Sequence, residues 1–246
     1  TLRGMVEEMS DPKVRAVCAR YWAKDGAGMA WELQRIEYAR YDDQRDLRTW
    51  KVSVASGAAV LYRKSALEDV LKHRDRELPW DTESLIEDYA LTLDLRELKW
   101  KVKAARNAHV LTDTPQDFKD LWSHRQRWGR GGFDEVRKRG FRKFLTYDII
   151  GYGMFSLNIL MRVLFVIYFV ALLSLHGSYQ LSLLGMMPLV IVWFSRVTSY
   201  LRLNGKSAKD ALIVGSVIVE DLYGLFLEVC ALVSIVRSIR SSHQSW

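Results

Sequence analysis

Cysteine and proline are scarce in this chain of 246 residues, with 2 and 4 copies, and glycine is modest at 15. Two cysteines, Cys18 in a charged region and Cys230 inside an apolar stretch, cannot make a disulfide framework. So little Pro and Gly, with 12% aromatic residues, excludes collagen-like, low-complexity and disordered chains. Several standard chemistries are missing too. The histidines show no metal-ligand spacing and there is no CxxC pair. There is neither a P-loop nor a Gly-x-Ser-x-Gly elbow, and Gly26-Ala27-Gly28 alone reads as a plain turn. The excess of 36 Lys+Arg over 29 Asp+Glu carries no DNA- or RNA-binding signature, so nucleic acid is not an expected partner.

What is present divides the chain in two: a charged part, residues 1–144, and an apolar part, residues 145–246. A membrane crossing needs roughly 20 apolar residues. Three stretches qualify, at about 149–175, 181–201 and 211–236, the first two joined as a hairpin by His176–Gln180. The basic run Arg137–Lys143 just before the first span puts the charged part in the cytoplasm by the positive-inside rule. Within the spans lie Arg162, Arg196, Glu220, Asp221 and Glu228. Such charges cost about 3 kcal/mol each unless paired, so the acids are expected to meet Arg162 or Arg196. Either register-fixing pairs or a wet path for a polar solute would explain them, and the second would suit a small transporter.

The charged part alternates strand and helix, which argues for an α/β layer fold. Val14–Tyr21 reads as a strand after the turn Ser10-Asp11-Pro12, Trp31–Leu47 as a helix, and Val52–Tyr62 as a strand interrupted by Gly57. Ser65–Lys72 reads as helical, Lys99–Lys103 and His109–Leu111 as short strands, and Gln116–Trp128 as a helix opened by Thr114-Pro115. Ser84-Leu85-Ile86-Glu87-Asp88 fits a capping box, with acids suiting a helix N-terminus. His124-Arg125-Gln126-Arg127-Trp128 followed by Gly129-Arg130-Gly131-Gly132 fits a basic helix end with a glycine stop. Together the two segments also fit one chemistry. A carboxylate takes a proton from an attacking hydroxyl, guanidinium groups hold a leaving diphosphate, and an indole stacks on a sugar.

The order and spacing of these segments resemble the membrane-bound family 2 glycosyltransferases, the group of cellulose, chitin, hyaluronan and poly-N-acetylglucosamine synthases. Ile86-Glu87-Asp88 resembles the family's Thr-Glu-Asp motif, with Ile in the Thr place. Arg127-Trp128 resembles the end of its Gln-x-x-Arg-Trp motif, with His124 in the Gln place. Gln34–Ala39, Ser56–Arg63 and Asn107–Pro115 resemble the helix, acceptor-side strand and linker around them. The pair Gly131-Gly132 is most like the poly-N-acetylglucosamine synthases.

The resemblance implies the C-terminal half of a Rossmann-like GT-A domain followed by about three membrane helices. It implies that Asp88 is the general base, with Glu87 lining its site and His124 in a substrate-contacting position. Arg127, helped by Arg125, would bind the diphosphate; Trp128 would carry the acceptor sugar, and Ser56 and Gly57 would touch it. The implied reaction is inverting transfer from a UDP-sugar, N-acetylglucosamine by preference, to a growing β-linked polysaccharide. It would occur at the cytoplasmic face of the plasma (inner) membrane, with export through the helices and an accessory subunit as a further partner. Mg²⁺ or Mn²⁺ is implied, but no metal ligand is visible, because Thr1–Cys18 resembles the segment on the C-terminal side of the family's Asp-x-Asp strand. On that reading residues 1–246 alone are expected to be inactive. The alternative is a non-catalytic membrane subunit that keeps the fold without the donor-binding half.

Overall fold

A computed structural model describes residues 2–176, 183–201, 203 and 205–240. A short helix α1 (Leu2–Glu8) leads into strand β1 (Val14–Ala23) through the Ser10-Asp11-Pro12 turn, where Asp11 accepts from the Lys13 N–H at 2.8 Å. β1 is small and apolar at successive positions, with Val14, Ala16, Val17, Cys18 and Ala19 all buried. Burial on both faces suits the middle of a sheet covered by helices. β1 is indeed central in the order β2-β1-β3, antiparallel to β2 (Val60–Tyr62) and parallel to β3 (Lys101–Thr112). The two short strands expected at 99–103 and 109–111 are one, with register shifts that absorb the irregularity.

Helix α2 (Met29–Leu47) follows β1, and α3 (Lys64–Arg74) follows β2. Helix α4 (Glu87–Glu97) runs through the core, with every residue from Tyr89 to Leu95 buried. The buried acid among them, Asp94, is met by three guanidiniums, from Arg74 (2.8 Å), Arg76 (2.5 Å) and Arg139 (2.8 Å). A charge placed so deep is stable only when paired in this way. The expected capping box is not formed. Ile86 holds the N-cap position and the Ser84 hydroxyl accepts instead from the Ile86 N–H at 3.2 Å.

Helix α5 (Phe118–Arg139) differs most from expectation. It is capped by Asp117, which accepts from the Asp120 N–H, rather than opened at Thr114-Pro115. It also runs straight through Gly129, Gly131 and Gly132 instead of stopping there. The glycines serve close packing: a Cβ on Gly129 would stand 2.8 Å from Ser234 Oγ, and one on Gly131 2.8 Å from Ile86 Cγ1.

After a 3-10 turn at Lys143–Leu145 come α6 (Thr146–His176), α7 (Leu183–Leu201), α8 (Ala208–Gly215) and α9 (Val217–Arg240). The hairpin connection expected at His176–Gln180 lies, from 177 on, outside the described residues, as do the first two residues of the span expected at 181–201. Among the described residues two helical stretches are long and apolar enough to cross a membrane, Lys143–Ala171 and Ile218–Arg240. α6 exposes apolar side chains along its length from Ile150 to Val170, as a helix bathed in hydrocarbon would. The span expected at 211–236 is broken at Ser216. A Ser207–Asp210 capping box starts α8, and Asp210 is paired with Arg35 of α2, which draws α8 onto the charged part. The acids inside the apolar helices are paired as expected: Arg196 with Asp221 (2.5 Å) and Glu220 (3.0 Å), Arg162 with Glu228 (3.1 Å).

Candidate active site

Asp88 sits in the first turn of α4, so its position follows from where that helix starts. One carboxylate oxygen accepts from the Tyr89 N–H at 2.8 Å and the other from the Gly57 N–H at 2.9 Å. Gly57 ends a segment expected to be strand from Val52 on. Only Val60–Tyr62 is strand, because the polar groups of 52–57 are largely spent elsewhere. The Val52 N–H bonds the Val102 carbonyl, and the Ala55 N–H bonds the Thr92 hydroxyl, which in turn donates to the Asp88 carbonyl at 2.7 Å. The loop is thus laced to α4, and Gly57 meets the carboxylate with its backbone. A Cβ there would meet Asp88 at 3.7 Å, an ordinary contact, and on its other side the carboxylate borders an open space.

That space is part of a cavity of about 380 Å³. α4 contributes Asp88 and Tyr89; the loop contributes Ser56; α5 contributes Trp128 and Gly132; the base of α6 contributes Asp148 and Tyr152. The wall formed by α2 and the turn after it carries Tyr41, Arg45, Arg48 and Lys51. Sequence reasoning missed this wall. Its only signal was the spacing of three between cations, which looks like any solvated helix end. The turn is held by two consecutive left-handed residues, Thr49 (φ 51°) and Trp50 (φ 63°), a conformation costing about 1–2 kcal/mol per residue. The buried Trp50 indole and a 2.7 Å bond from the Trp50 N–H to the Arg45 carbonyl offset the strain.

Burial pushes the Asp88 carboxyl above its ordinary value and nearby Glu87 adds to the effect, while the Gly57 and Tyr89 N–H groups and the Arg127 charge oppose it. The group is therefore a better proton acceptor than a solvated aspartate, and its two backbone bonds aim it. Arg48 bonds Ser53 Oγ at 3.0 Å and lies over the Tyr147 ring at 4.4 Å; partial burial pulls its guanidinium down, against the charge of Asp148.

The expected site residues are only partly brought together. Asp88, Ser56 and Trp128 line one cavity, and Gly57 reaches it only through its bond to Asp88. Glu87 is exposed beside it. His124 lies against Trp128, ring centroids 4.3 Å apart, and burial beside Arg125 and Arg127 lowers it to about 4, leaving it neutral. Arg125 lies over the Trp128 ring at 5.0 Å with its guanidinium bonded to Glu37 at 2.8 Å. Arg127 points to the Leu85 carbonyl at 3.4 Å and lines a neighbouring cavity with Arg130 and Arg237.

The described residues do not fit a divalent cation: no group of three or more His, Cys, Asp or Glu side chains could hold one. The two carboxylates on the cavity wall are engaged, Asp88 by backbone N–H groups and Asp148 by the Tyr89 hydroxyl and Arg96. What the cavity offers is a held base, an aromatic platform and a cationic wall, which suits a polyhydroxy acceptor attacking next to an anionic leaving group.

Residues 1–196 match the sequence profile described as glycosyl transferase family group 2. The chain belongs to that family. Similar proteins include the poly-beta-1,6-N-acetyl-D-glucosamine synthase of Staphylococcus epidermidis, 29% identical over 141 residues, which is 56% of this chain and 32% of that protein. The enzyme of the same name from Staphylococcus aureus is 27% identical over 146 residues, 58% of this chain and 34% of that protein. The matches thus span about a third of these relatives' length. Family membership makes the cavity beside Asp88 part of a glycosyltransferase domain, built on a mixed sheet with flanking helices.

Proposed function

We propose that this chain carries the acceptor side of an inverting glycosyltransferase that adds N-acetylglucosamine from a UDP-sugar to a growing β-linked polysaccharide. The observation that carries the reading is the convergence of Asp88, Ser56 and Trp128 on one cavity at the foot of α6, with Gly57 bonded to the Asp88 carboxylate. The choice of sugar and linkage rests on the similarity to poly-beta-1,6-N-acetyl-D-glucosamine synthases.

In the proposed reaction the terminal sugar of the acceptor rests on the Trp128 indole, a large face with little rotamer freedom to lose. Its hydroxyl points at Asp88. As the hydroxyl oxygen forms its bond to the anomeric carbon, Asp88 accepts the hydroxyl proton. The bond from that carbon to the diphosphate oxygen breaks with both electrons leaving on UDP. Displacement from the opposite face turns an α-linked donor into a β-linked product. Arg127 and the Arg48–Lys51 wall would offset the charge on the departing diphosphate. A divalent cation, Mg²⁺ or Mn²⁺, is part of the family chemistry, but these residues supply no ligand set for it and no step is assigned to it.

α6 and α7 would cross the plasma membrane with the catalytic part in the cytoplasm, while α9, apolar enough for a crossing, is held from Glu220 to Ser238 by α2 and α5 and would lie against that part. The Arg162–Glu228 and Arg196–Asp221 pairs would fix the register of helices through which the polymer leaves.

The test is incorporation of labelled N-acetylglucosamine from its UDP-sugar by membranes bearing the full-length protein, with the product challenged by a β-specific hexosaminidase. Hexosaminidase-sensitive polymer is the expected result. An intact, membrane-inserted protein that releases no UDP from any UDP-sugar in the presence of acceptor refutes the reading.

A further inference from the structure

Glu37 lies on α2, within the Gln34–Ala39 segment but outside the lining of the cavity, and its carboxylate accepts three hydrogen bonds. One of its oxygens accepts from the Tyr41 hydroxyl at 2.5 Å. The other accepts from Arg125 at 2.8 Å and from the Tyr223 hydroxyl at 2.6 Å. These three partners come from three places that matter. Tyr41 is part of the cavity wall. Arg125 is the guanidinium over the Trp128 ring. Tyr223 belongs to α9, one of the two helices that, among the described residues, are long and apolar enough to cross a membrane.

The arrangement is largely dry. The Arg125 and Glu37 side chains are 10% and 14% exposed, so the ion pair is weakly screened and its geometry strongly preferred. α9 is also bound to α5 beyond Trp128. Gln126 donates to the Cys230 carbonyl at 2.7 Å, Gly129 leaves no room for a Cβ beside Ser234, and Arg137 donates to the Ser238 carbonyl at 2.8 Å. α5 and α9 are therefore joined along their length, and Glu37 joins that pair to α2.

We propose that Glu37 is a positioning residue for the acceptor platform: it fixes Trp128 through Arg125 and Tyr41 directly, and through Tyr223 it makes the platform follow α9. This rests on the reading of Trp128 as the acceptor platform. It gives Arg125 a role different from holding a diphosphate: its charge is spent on Glu37 and on the indole. A shift of α9 would then move both sides of the acceptor cavity and change acceptor binding, while leaving donor binding unchanged.

The experiment uses the full-length protein in lipid nanodiscs, with UDP-N-acetylglucosamine and a short β-linked N-acetylglucosamine oligosaccharide as acceptor. KM is measured separately for each substrate in Trp128→Ala, Glu37→Gln, Tyr223→Phe, Arg125→Met and the Glu37→Gln/Arg125→Met double variant. We expect Glu37→Gln to raise the acceptor KM roughly tenfold with the donor KM unchanged, as misplacement of a binding group does. The double variant should raise the acceptor KM by less than the product of the two single effects, because Glu37 acts in part through Arg125. Tyr223→Phe should raise the acceptor KM by about threefold, the effect of losing one hydrogen bond. If Trp128→Ala leaves the acceptor KM alone, the platform reading itself fails. If Trp128→Ala raises it while Glu37→Gln and Tyr223→Phe do not, the positioning role fails and the platform stands. Should Glu37→Gln not be recovered folded, Tyr223→Phe decides, since it deletes one hydroxyl and keeps the Glu37–Arg125 pair.

Discussion

Replacing Asp88 by Asn separates the chemical from the structural role of this side chain. Asn keeps the shape and one accepting oxygen, so one of the two backbone N–H groups, from Gly57 or Tyr89, keeps its acceptor. The other faces an NH₂ group, which costs about 1–3 kcal/mol for a buried donor left unmet. Against this stands the relief of not burying a charge. Burial is the largest influence on Asp88 and outweighs its two N–H bonds, which is why its carboxyl is raised above 3.8. A group whose folded value is raised favours the protonated fold. Its contribution is present below the unfolded value and is lost as pH rises through the folded value, so at neutral pH the ionised Asp88 weakens the fold. The two effects oppose each other, and we expect a net stability change under about 2 kcal/mol. Catalysis has no such offset. A general base contributes about 10²–10⁴-fold, or about 3–5 kcal/mol of barrier, and Asn cannot accept the proton. The assay is initial-rate sugar transfer in nanodiscs beside a thermal melt of the same preparation. The wild-type rate should also fall as pH drops through an ionisation above 3.8, because protonated Asp88 cannot act. A folded Asp88→Asn protein keeping more than about a tenth of the wild-type rate would refute the assignment.

The packing and electrostatics lead to three further outcomes. Asp94→Ala should cost about 3 kcal/mol and lower the melting temperature, since it takes the carboxylate from Arg76 while Arg74 keeps Glu97 and Arg139 keeps Glu135. Gly129→Ala should lower the melting temperature, at a cost of about 1–3 kcal/mol, by forcing α5 from α9. Adding Ser234→Gly should restore it; failure to do so would put the strain elsewhere. His124, lowered to about 4, stays neutral through the working range. The pH profiles of His124→Gln and wild type should therefore superimpose between about pH 5.5 and 8, whatever the difference in rate. Because its folded value lies below the ordinary one, any stability His124 lends is present above about 6.5 and is lost as pH falls toward 4.

Much of the charged part was legible because its signals are local. An almost unbroken small apolar run made β1, an uninterrupted run of helix formers made α2, and the Ser10-Asp11-Pro12 turn set the start of the sheet. The pairing of Asp88 with Trp128 was legible as well, although the two are forty residues apart: each segment alone fits a plain cap or helix end, together they fit one chemistry, and both side chains line one cavity. What could not be read were choices made by distant partners. The loop at 52–57 looks like strand, yet its N–H groups find Thr92 and Asp88. The glycines after Trp128 look like a stop, yet they let α5 press on Ser234 and Ile86. The stretch at 211–236 reads as one continuous apolar span, yet it is broken at Ser216, and the Ser207–Asp210 capping box and the Asp210–Arg35 pair hold its first part, α8, on the charged part.

The sequence by itself determined the family and the apolar stretches and pointed to Asp88 and Trp128, because residue type and spacing along one chain carry those. Only the tertiary structure decided which cations face the cavity and that Glu37 ties its walls to α9, because a buried charge is placed by whichever partner can desolvate with it, and that partner is set by the fold.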